Sequence, residues 1–307
     1  MQHNGVLKEF NTHIRNYDYE VVCGGSPADA SYPAVYEIPR DNTGTLKNQG
    51  NIGCCVAETI AQIAESFYKT EMAEGWVYGK FRKPSSNGWG MYVSAAMDYW
   101  MEIGTVPKTY FDILKEMPDM KEIANKFDDL QKQAEKYQLK AYAELNYADK
   151  TKRDNAIKDA LMKSGRGLVA VSHDYFNESH CIVLTGWNDE TGKYKFKNSW
   201  GETYGDKGFS EIPKNKINEV YYPIFEDIAL PFSDVKDTDW FYKDVKNMFF
   251  AGLIGGYEDG TFKPNNQITR AEVCVILNRL TKMIDERFDI LNRVLEEKFK
   301  MVDGVKM

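Results

Sequence analysis

Three groups in this chain can do covalent chemistry together: the thiol of Cys55, the imidazole of His180 and the carboxamide of Asn198. A thiol attacks a carbonyl only as thiolate, and a helix N-terminus or a histidinium neighbour lowers its pKa. Cys55 stands where a polar, glycine-rich loop, Gln49-Gly50-Asn51-Ile52-Gly53, runs into a helical pattern. His180 opens an apolar run and supplies the imidazole. A base must be held in one tautomer by a third group, and the Asn198 amide does this without adding charge. Gln49, on the loop leading into the Cys55 helix, can aim an amide N–H at a developing oxyanion beside the Cys55 backbone N–H. Cys54 lies one residue off the catalytic face and reads as a bystander. His173, in a polar run, reads as a solvated loop residue and not as a rival base. A buried, inert Cys55 would explain the thiol alone and predicts nothing about Gln49, His180 and Asn198.

Elements must position these groups. Apolar residues at 56, 60, 63, 64 and 67 recur at helical spacing, which predicts an amphipathic helix with one buried stripe and Cys55 in its first turn. Further helices are expected over Ser94 to Ile103 and around Met120 to Gln138. The period then changes: residues 167–171, 180–187 and 194–198 read as strands, with a turn at Asn188-Asp189-Glu190-Thr191-Gly192. Antiparallel pairing across that turn brings His180 and Asn198 to the same end of a hairpin. Helices first and strands after predict an α+β fold of two lobes with a groove between them.

Composition bounds the function. A chain of 307 residues suits a two-lobed enzyme plus a small module, and 43% hydrophobic residues with 16 Phe, 19 Tyr and 6 Trp can fill a core. The net charge is −7 and the basic residues are scattered, which argues against nucleic acid as a partner. No stretch approaches the roughly 18 apolar residues that span a bilayer. Met1 to Phe10 has no apolar run of the secretory kind, so the chain either works inside its cell or starts after a removed leader. Five cysteines, two of them adjacent, make a poor disulfide framework, and reduced thiols are expected. The four histidines show no metal spacing, so no metal and no cofactor is expected.

The blocks Gln49-Gly50-x-x-Gly53-x-Cys55-x-Ala57, Ser179-His180-Cys181-Ile182-Val183-Leu184-x-Gly186-Trp187 and Lys197-Asn198-Ser199-Trp200-Gly201-x-x-x-Gly205-x-x-Gly208-Phe209 resemble, in order and spacing, those of papain-like cysteine peptidases. The resemblance runs over roughly residues 31 to 228. It implies a papain-like domain over 33–228, with a helical lobe and an antiparallel β lobe, after an extension at 1–32. It also implies Gln49 as oxyanion donor, Cys55 as nucleophile, His180 as acid and base, Asn198 as orienter, and Trp200 as a ring shielding the hydrogen bond between Asn198 and His180. Asn87-Gly88-Trp89-Gly90-Met91-Tyr92 resembles the family's glycine-rich segment, in its prokaryotic form, which implies that Gly88, Trp89 and Gly90 pair with the substrate backbone. Two features depart from the family pattern: Ile52 replaces the usual disulfide cysteine, and the stretch from Val171 to Ser179 is brief. Substrate preference is therefore not carried over.

After Pro231 the text changes. Asp237 to Asp239 can cap a helix with an apolar face of Phe241, Val245, Met248 and Phe249, Gly252 ends it, and Asp259-Gly260 makes a turn. Thr269 with Glu272 forms a capping box for a second helix. Phe232-Ser233-Asp234-Val235, Trp240-Phe241, Gly255-Gly256-Tyr257 and Ile268-Thr269-Arg270-Ala271-Glu272 together resemble one S-layer homology motif over about 232–283. That implies a small α-helical module binding a secondary cell-wall polymer, with Asp234, Trp240, Gly256, Tyr257, Thr269 and Arg270 near the ligand. Such motifs usually act in threes. From Leu277 the apolar residues 277, 280, 284, 288, 291, 295, 299 and 302 follow an 11-residue repeat, which predicts a long helix over 269–303. Its apolar side needs a partner, either its own peptidase domain or two further copies in a homotrimer.

The function expected from these residues is a cysteine endopeptidase acting on protein or peptide substrates, tethered at a bacterial cell surface or secreted. The alternatives are a peptidase fold turned into a binding module, and an intracellular or phage-encoded protease.

Overall fold

The computed structural model describes residues 16–19, 31–81, 83–85, 88–115, 119–120, 123, 128–226, 229–282 and 284. They fall into two compact units divided between Asp227 and Ile228, with residues 16–19 counted to the second. Most of the expected N-terminal extension, Cys23 and the expected long helix beyond residue 284 lie outside the described residues.

The first unit is built on an antiparallel sheet. Its strands are β1 (Val35–Glu37), β4 (Ala141–Glu144), β5 (Leu168–Ser172), β6 (His180–Asn188), β7 (Lys193–Lys197), β8 (Phe209–Pro213) and β9 (Glu219–Ile224), and a separate hairpin joins β2 (Lys83–Ser85) to β3 (Gly88–Gly90). The order is β4-β9-β5-β6-β7-β8, and β1 pairs with the far half of β6. Helices α1 (Cys55–Tyr68), α2 (Glu74–Phe81) and α3 (Val93–Glu102) precede most of the strands, and α4 (Lys150–Ser164) lies between β4 and β5. The fold is α+β, as the order of helical and alternating patterns predicts. Asp149 caps α4 by accepting from Lys152 N at 2.7 Å, and Gly165 ends the helix at φ +57°.

Helix α1 packs on β5 and β6 and joins one buried cluster with Trp76, Met97, Trp100, Val169, Val183 and Tyr221. The expected stripe is buried apart from the half-buried Phe67, but so is the other side: Glu58, Gln62, Glu65 and Ser66 are buried as well. For Glu65 the reason is a set of partners from the neighbouring loops. Lys47 Nζ lies 2.6 Å from Glu65 and 3.3 Å from Glu74, and Glu65 also accepts from Thr45 N and Met72 N. A charged face goes inside when its charges are paired there. The helix expected around Met120 to Gln138 differs more. Among its described residues Met120 and Ile123 are helical, and the chain then makes a 3-10 turn at Asp128–Leu130, one helical turn at Gln131–Ala134 and another 3-10 turn at Glu135–Tyr137.

The second unit has a small aromatic core. Phe232, Val235 and Val245 are buried, and the Phe232 ring stacks on Phe262 at 5.3 Å and meets Phe249 edge-on at 5.0 Å. A Cβ at position 256 would run into the Phe232 ring, which explains the glycine there. Helix α5 spans Tyr242–Phe250 and turns off at Gly252, φ +71°. Its expected acidic cap does not form: Asp239 instead accepts from Lys236 N at 2.7 Å, and Phe241 takes the cap position without a side-chain bond. The second capping box does form. Glu272 accepts from Thr269 N at 2.7 Å and Thr269 Oγ1 accepts from Glu272 N at 3.1 Å, opening α6 over residues 270–282.

Candidate active site

Cys55 is the first residue of α1, and the N-cap, Cys54, makes no side-chain capping bond. The positive end of the helix is therefore not neutralised by a capping oxygen where the thiol sits. Glu58, one turn in, would oppose a thiolate if charged. Burial first, and Glu74 beside it, push its carboxyl up to about 8, so it is neutral at neutral pH. Cys54 Sγ contacts Glu58 Oε1 at 3.5 Å, and burial holds the Cys54 thiol well above its ordinary value. Its chemistry is that of a core thiol, in keeping with the bystander reading. Cys181, the neighbour of His180, is pushed up by burial and then by Cys55 nearby, and both lie in the cluster between α1 and β6. Cys54, Cys55, Cys181 and the exposed Cys274 form no disulfide.

His180 opens β6, and Asn198 follows β7. The register Val183↔Lys197 and Trp187↔Tyr194 brings them to one end of the hairpin, where His180 Nε2 lies 2.7 Å from Asn198 Oδ1. The amide orientation follows from a second contact, since Ser199 N donates to the same Oδ1 at 2.7 Å. An oxygen that accepts there leaves His180 Nε2 as the donor, so the neutral ring carries its proton on Nε2 and a lone pair on Nδ1. Nδ1 is buried and without a hydrogen bond among the described residues. The Trp200 ring stacks on the imidazole at 4.6 Å and 24°. Burial pushes His180 down to about 4, against the pull of Asn198.

Gln49 is tied to the same corner. Its backbone N–H donates to Ser199 O at 2.9 Å, and its Oε1 accepts from Ser199 Oγ at 2.6 Å. With Oε1 fixed as acceptor, Nε2 is the donor end, and one of its two N–H groups goes to Ile52 O at 3.0 Å. Ser199 thus orients both amides, Asn198 through its N–H and Gln49 through its hydroxyl. Sequence reading quoted Ser199 within a block and gave it no role. Lys197 was also missed: its buried Nζ donates to the carbonyls of Thr43, Gly44 and Thr45 at 3.0, 2.6 and 2.8 Å, which fixes the strand end before Asn198. The burial signal is invisible in sequence because lysine is ordinarily a surface residue.

His173 is not the solvated residue expected. Its Nδ1 lies 3.0 Å from Ser179 Oγ and its Nε2 2.9 Å from Glu219 Oε1. Gly88, Trp89 and Gly90 form β3 in the short hairpin, with Gly90 buried, and Asn87 lies outside the described residues.

In the second unit the expected ligand residues separate. Gly256 and Tyr257 line a groove of about 520 Å³ together with Lys263, Glu272 and Arg279, whereas Asp234, Trp240, Thr269 and Arg270 do not. Asp234 accepts from Phe262 N and Lys263 N at 2.7 and 2.8 Å, which makes it a loop brace. Trp240 is 89% exposed, and Arg270 is exposed on the first turn of α6. Arg279, which sequence reading did not single out, brings a cation to the groove and donates to Leu253 O at 3.3 Å. Among the described residues no helix is long and apolar enough to cross a membrane.

Residues 231–274 match the S-layer homology domain family. The first unit has the papain-like fold of cysteine proteases. Xylellain, a cysteine protease from Xylella fastidiosa, aligns with a TM-score of 0.56 and 15% identity, over 74% of this chain and 97% of that one. The digestive procathepsin L2 proteinase from Tenebrio molitor larval midgut aligns with a TM-score of 0.53 and 18% identity, over 73% and 78%. Among curated proteins, Cell surface glycoprotein 1 of Acetivibrio thermocellus is 50% identical over 56 residues. That match covers 18% of this chain and 2% of the relative, so it concerns a short stretch and not a whole protein.

Proposed function

We propose that the chain is a cysteine endopeptidase, with its peptidase domain over 33–228 and a surface-anchoring module over 232–283. Cys55 Sγ attacks the peptide carbonyl, and the S–C bond forms as the oxyanion takes N–H bonds from Cys55 N and Gln49 Nε2. The thiol proton passes to His180 Nδ1 and from there to the leaving amine as the C–N bond breaks. Water, deprotonated by the same nitrogen, then attacks the thioester carbonyl, the S–C bond breaks to release the acid, and the proton on His180 is shared again with the Cys55 sulfur. Asn198 holds the ring in the required tautomer, and Trp200 keeps water from their hydrogen bond. The observation that carries this reading is the continuous chain His180–Asn198–Ser199–Gln49, which fixes two amides and one tautomer around the helix start bearing Cys55. A core cysteine requires none of these.

The test is hydrolysis of fluorescent casein by the full chain. Cys55→Ala and His180→Ala should each lose at least about 10³ in rate, the scale of a lost nucleophile or base. Retention of wild-type hydrolysis by Cys55→Ala would remove the proposed nucleophile. The match to the S-layer homology family and to a cell-surface protein supports work at a bacterial surface on proteins held there. Lys263 and Arg279 suit an anionic wall polymer, and sedimentation with purified cell walls tests that attachment. Leu277, exposed on α6, and Ile284, exposed just past its described end, belong to the apolar side that would join three chains. Light scattering at three times 35.3 kDa supports the trimer, and a monomeric mass at micromolar concentration rejects it.

A further inference from the structure

The β5–β6 ladder ends at the pair Ser172↔His180, and the chain between them turns back in a short loop. Side chains extend the ladder by one rung: His173, at the start of the loop, bonds Ser179 at its end through Nδ1, 3.0 Å away. The other ring nitrogen reaches Glu219 Oε1 on β9, 2.9 Å away, and Tyr221 OH donates to the second oxygen of that carboxylate at 2.6 Å. The backbone N–H of His173 donates to Asn218 Oδ1 at 2.8 Å, and Lys216 pairs with Asp174 at 2.7 Å. The loop closed in this way carries Phe176. Its ring stands edge-on to His180 at 4.8 Å and 75°, and edge-on to Trp200 at 5.4 Å. The imidazole therefore has Trp200 stacked on it and Phe176 packed against it, and it is fully buried.

We propose that His173, clasped between Ser179 and Glu219, is a positioning residue for His180, closing loop 173–179 so that Phe176 keeps water from the imidazole. Ser179 precedes His180 in the chain, so the clasp also sets where β6 begins. His173 Nε2 faces the Glu219 carboxylate, which can only accept while it is ionised, and Nδ1 meets the Ser179 hydroxyl, which can accept or donate. Around the clasp the titratable and charged groups are Glu219, Tyr221, Asp174 and Lys216. Around His180 they are Cys55, on the helix α1 packed against its strand, and Cys181, the next residue on β6 itself. Losing the clasp admits water to the imidazole, and hydration favours its charged form. The proposal rests on His180 being the base, and its test is separable from that reading.

The experiment is an NMR titration of His180 in the full chain carrying Cys55→Ala, which removes the thiol. The His180 midpoint should lie well below the ordinary 6.5 in this parent, because burial lowers it. Adding His173→Ala or Ser179→Ala should raise the midpoint by about one unit or more, and Phe176→Ala should do the same. His173→Gln, whose amide can donate to Glu219 and accept from Ser179, should restore the parent value. In the chain with Cys55 intact, His173→Ala should lower kcat about tenfold with KM within about twofold. A midpoint that stays within about 0.3 unit of the parent in both His173→Ala and Ser179→Ala, with the protein folded, overturns the proposal. If His180→Ala keeps full hydrolysis, the base reading fails, whatever the titration shows about the clasp.

Discussion

In the unit that carries Cys55, the side chains expected to act are the least exposed ones, while in the C-terminal unit they stand largely at the surface: His180 and Asn198 are 0% exposed, Trp240 is 89% and Tyr257 is 42%. The first arrangement suits covalent chemistry. A tautomer and two amide orientations have to be fixed before a substrate arrives, and a dry setting strengthens every dipole involved. The second suits capture of a large polymer, for which the contact surface has to be open. Conserving stability also differs between them, since the first unit ties its polar groups into long-range networks and the second braces loops locally, as Asp234 does.

The sharpest break in this comparison is expected at the oxyanion donor. Gln49→Ala should lower kcat by about 10² to 10³, the range for losing one such donor, with the fold intact. An unchanged kcat would remove Gln49 from the chemistry. Next comes stability in the same unit. Lys197→Met leaves the carbonyls of Thr43, Gly44 and Thr45 buried without their donor, and urea denaturation should show a loss of about 3 kcal/mol. A loss under about 0.5 kcal/mol, the scale of a surface change, would mean the contact is idle.

The pH dependence carries a definite sign. The folded-state pKa of His180 is depressed to about 4, below the ordinary 6.5, so the unfolded chain binds the extra proton between those values. His180 then favours folding fully above about 6.5, and that contribution fades as pH falls toward 4. In the Cys55→Ala protein the slope from this group approaches about 1.4 kcal/mol per pH unit, and His180→Gln should remove it. Equal slopes with and without His180 would contradict the assigned burial effect. The smallest effect belongs to the exposed surface: Trp240→Ala should change stability by less than about 0.5 kcal/mol while reducing wall sedimentation. Asp234→Ala should instead lower the melting temperature of the second unit through its two lost backbone bonds. A reversal of these two would erase the contrast between brace and contact residue.

What the sequence made legible was what depends on spacing along the chain. The stripe at 56, 60, 63, 64 and 67, the turn that joins Asn188 to Lys193, and the Thr269 and Glu272 capping box are all local, and each forms. The hairpin let one inference reach the site, because register alone brings His180 to Asn198. Long-range pairings were not legible. Nothing near Glu65 announces Lys47, and nothing near His173 announces Glu219 on another strand. The failed cap at Asp239 shows a subtler limit: the side chain had two local backbone donors to choose from, and Lys236 N took it.

The central claim, that Cys55 attacks as a thiolate at the helix start beside His180, is tested most directly by the pH dependence of its capture. An epoxysuccinyl inhibitor, with the adduct mapped by mass spectrometry, reports both the site and the rate. The account predicts labelling at Cys55 that remains fast well below pH 8, with an acidic limb far under the free-thiol value of about 8.5, and retained in Cys54→Ser. Labelling at Cys54 in Cys55→Ala, or a single limb near about 8.5, would contradict it.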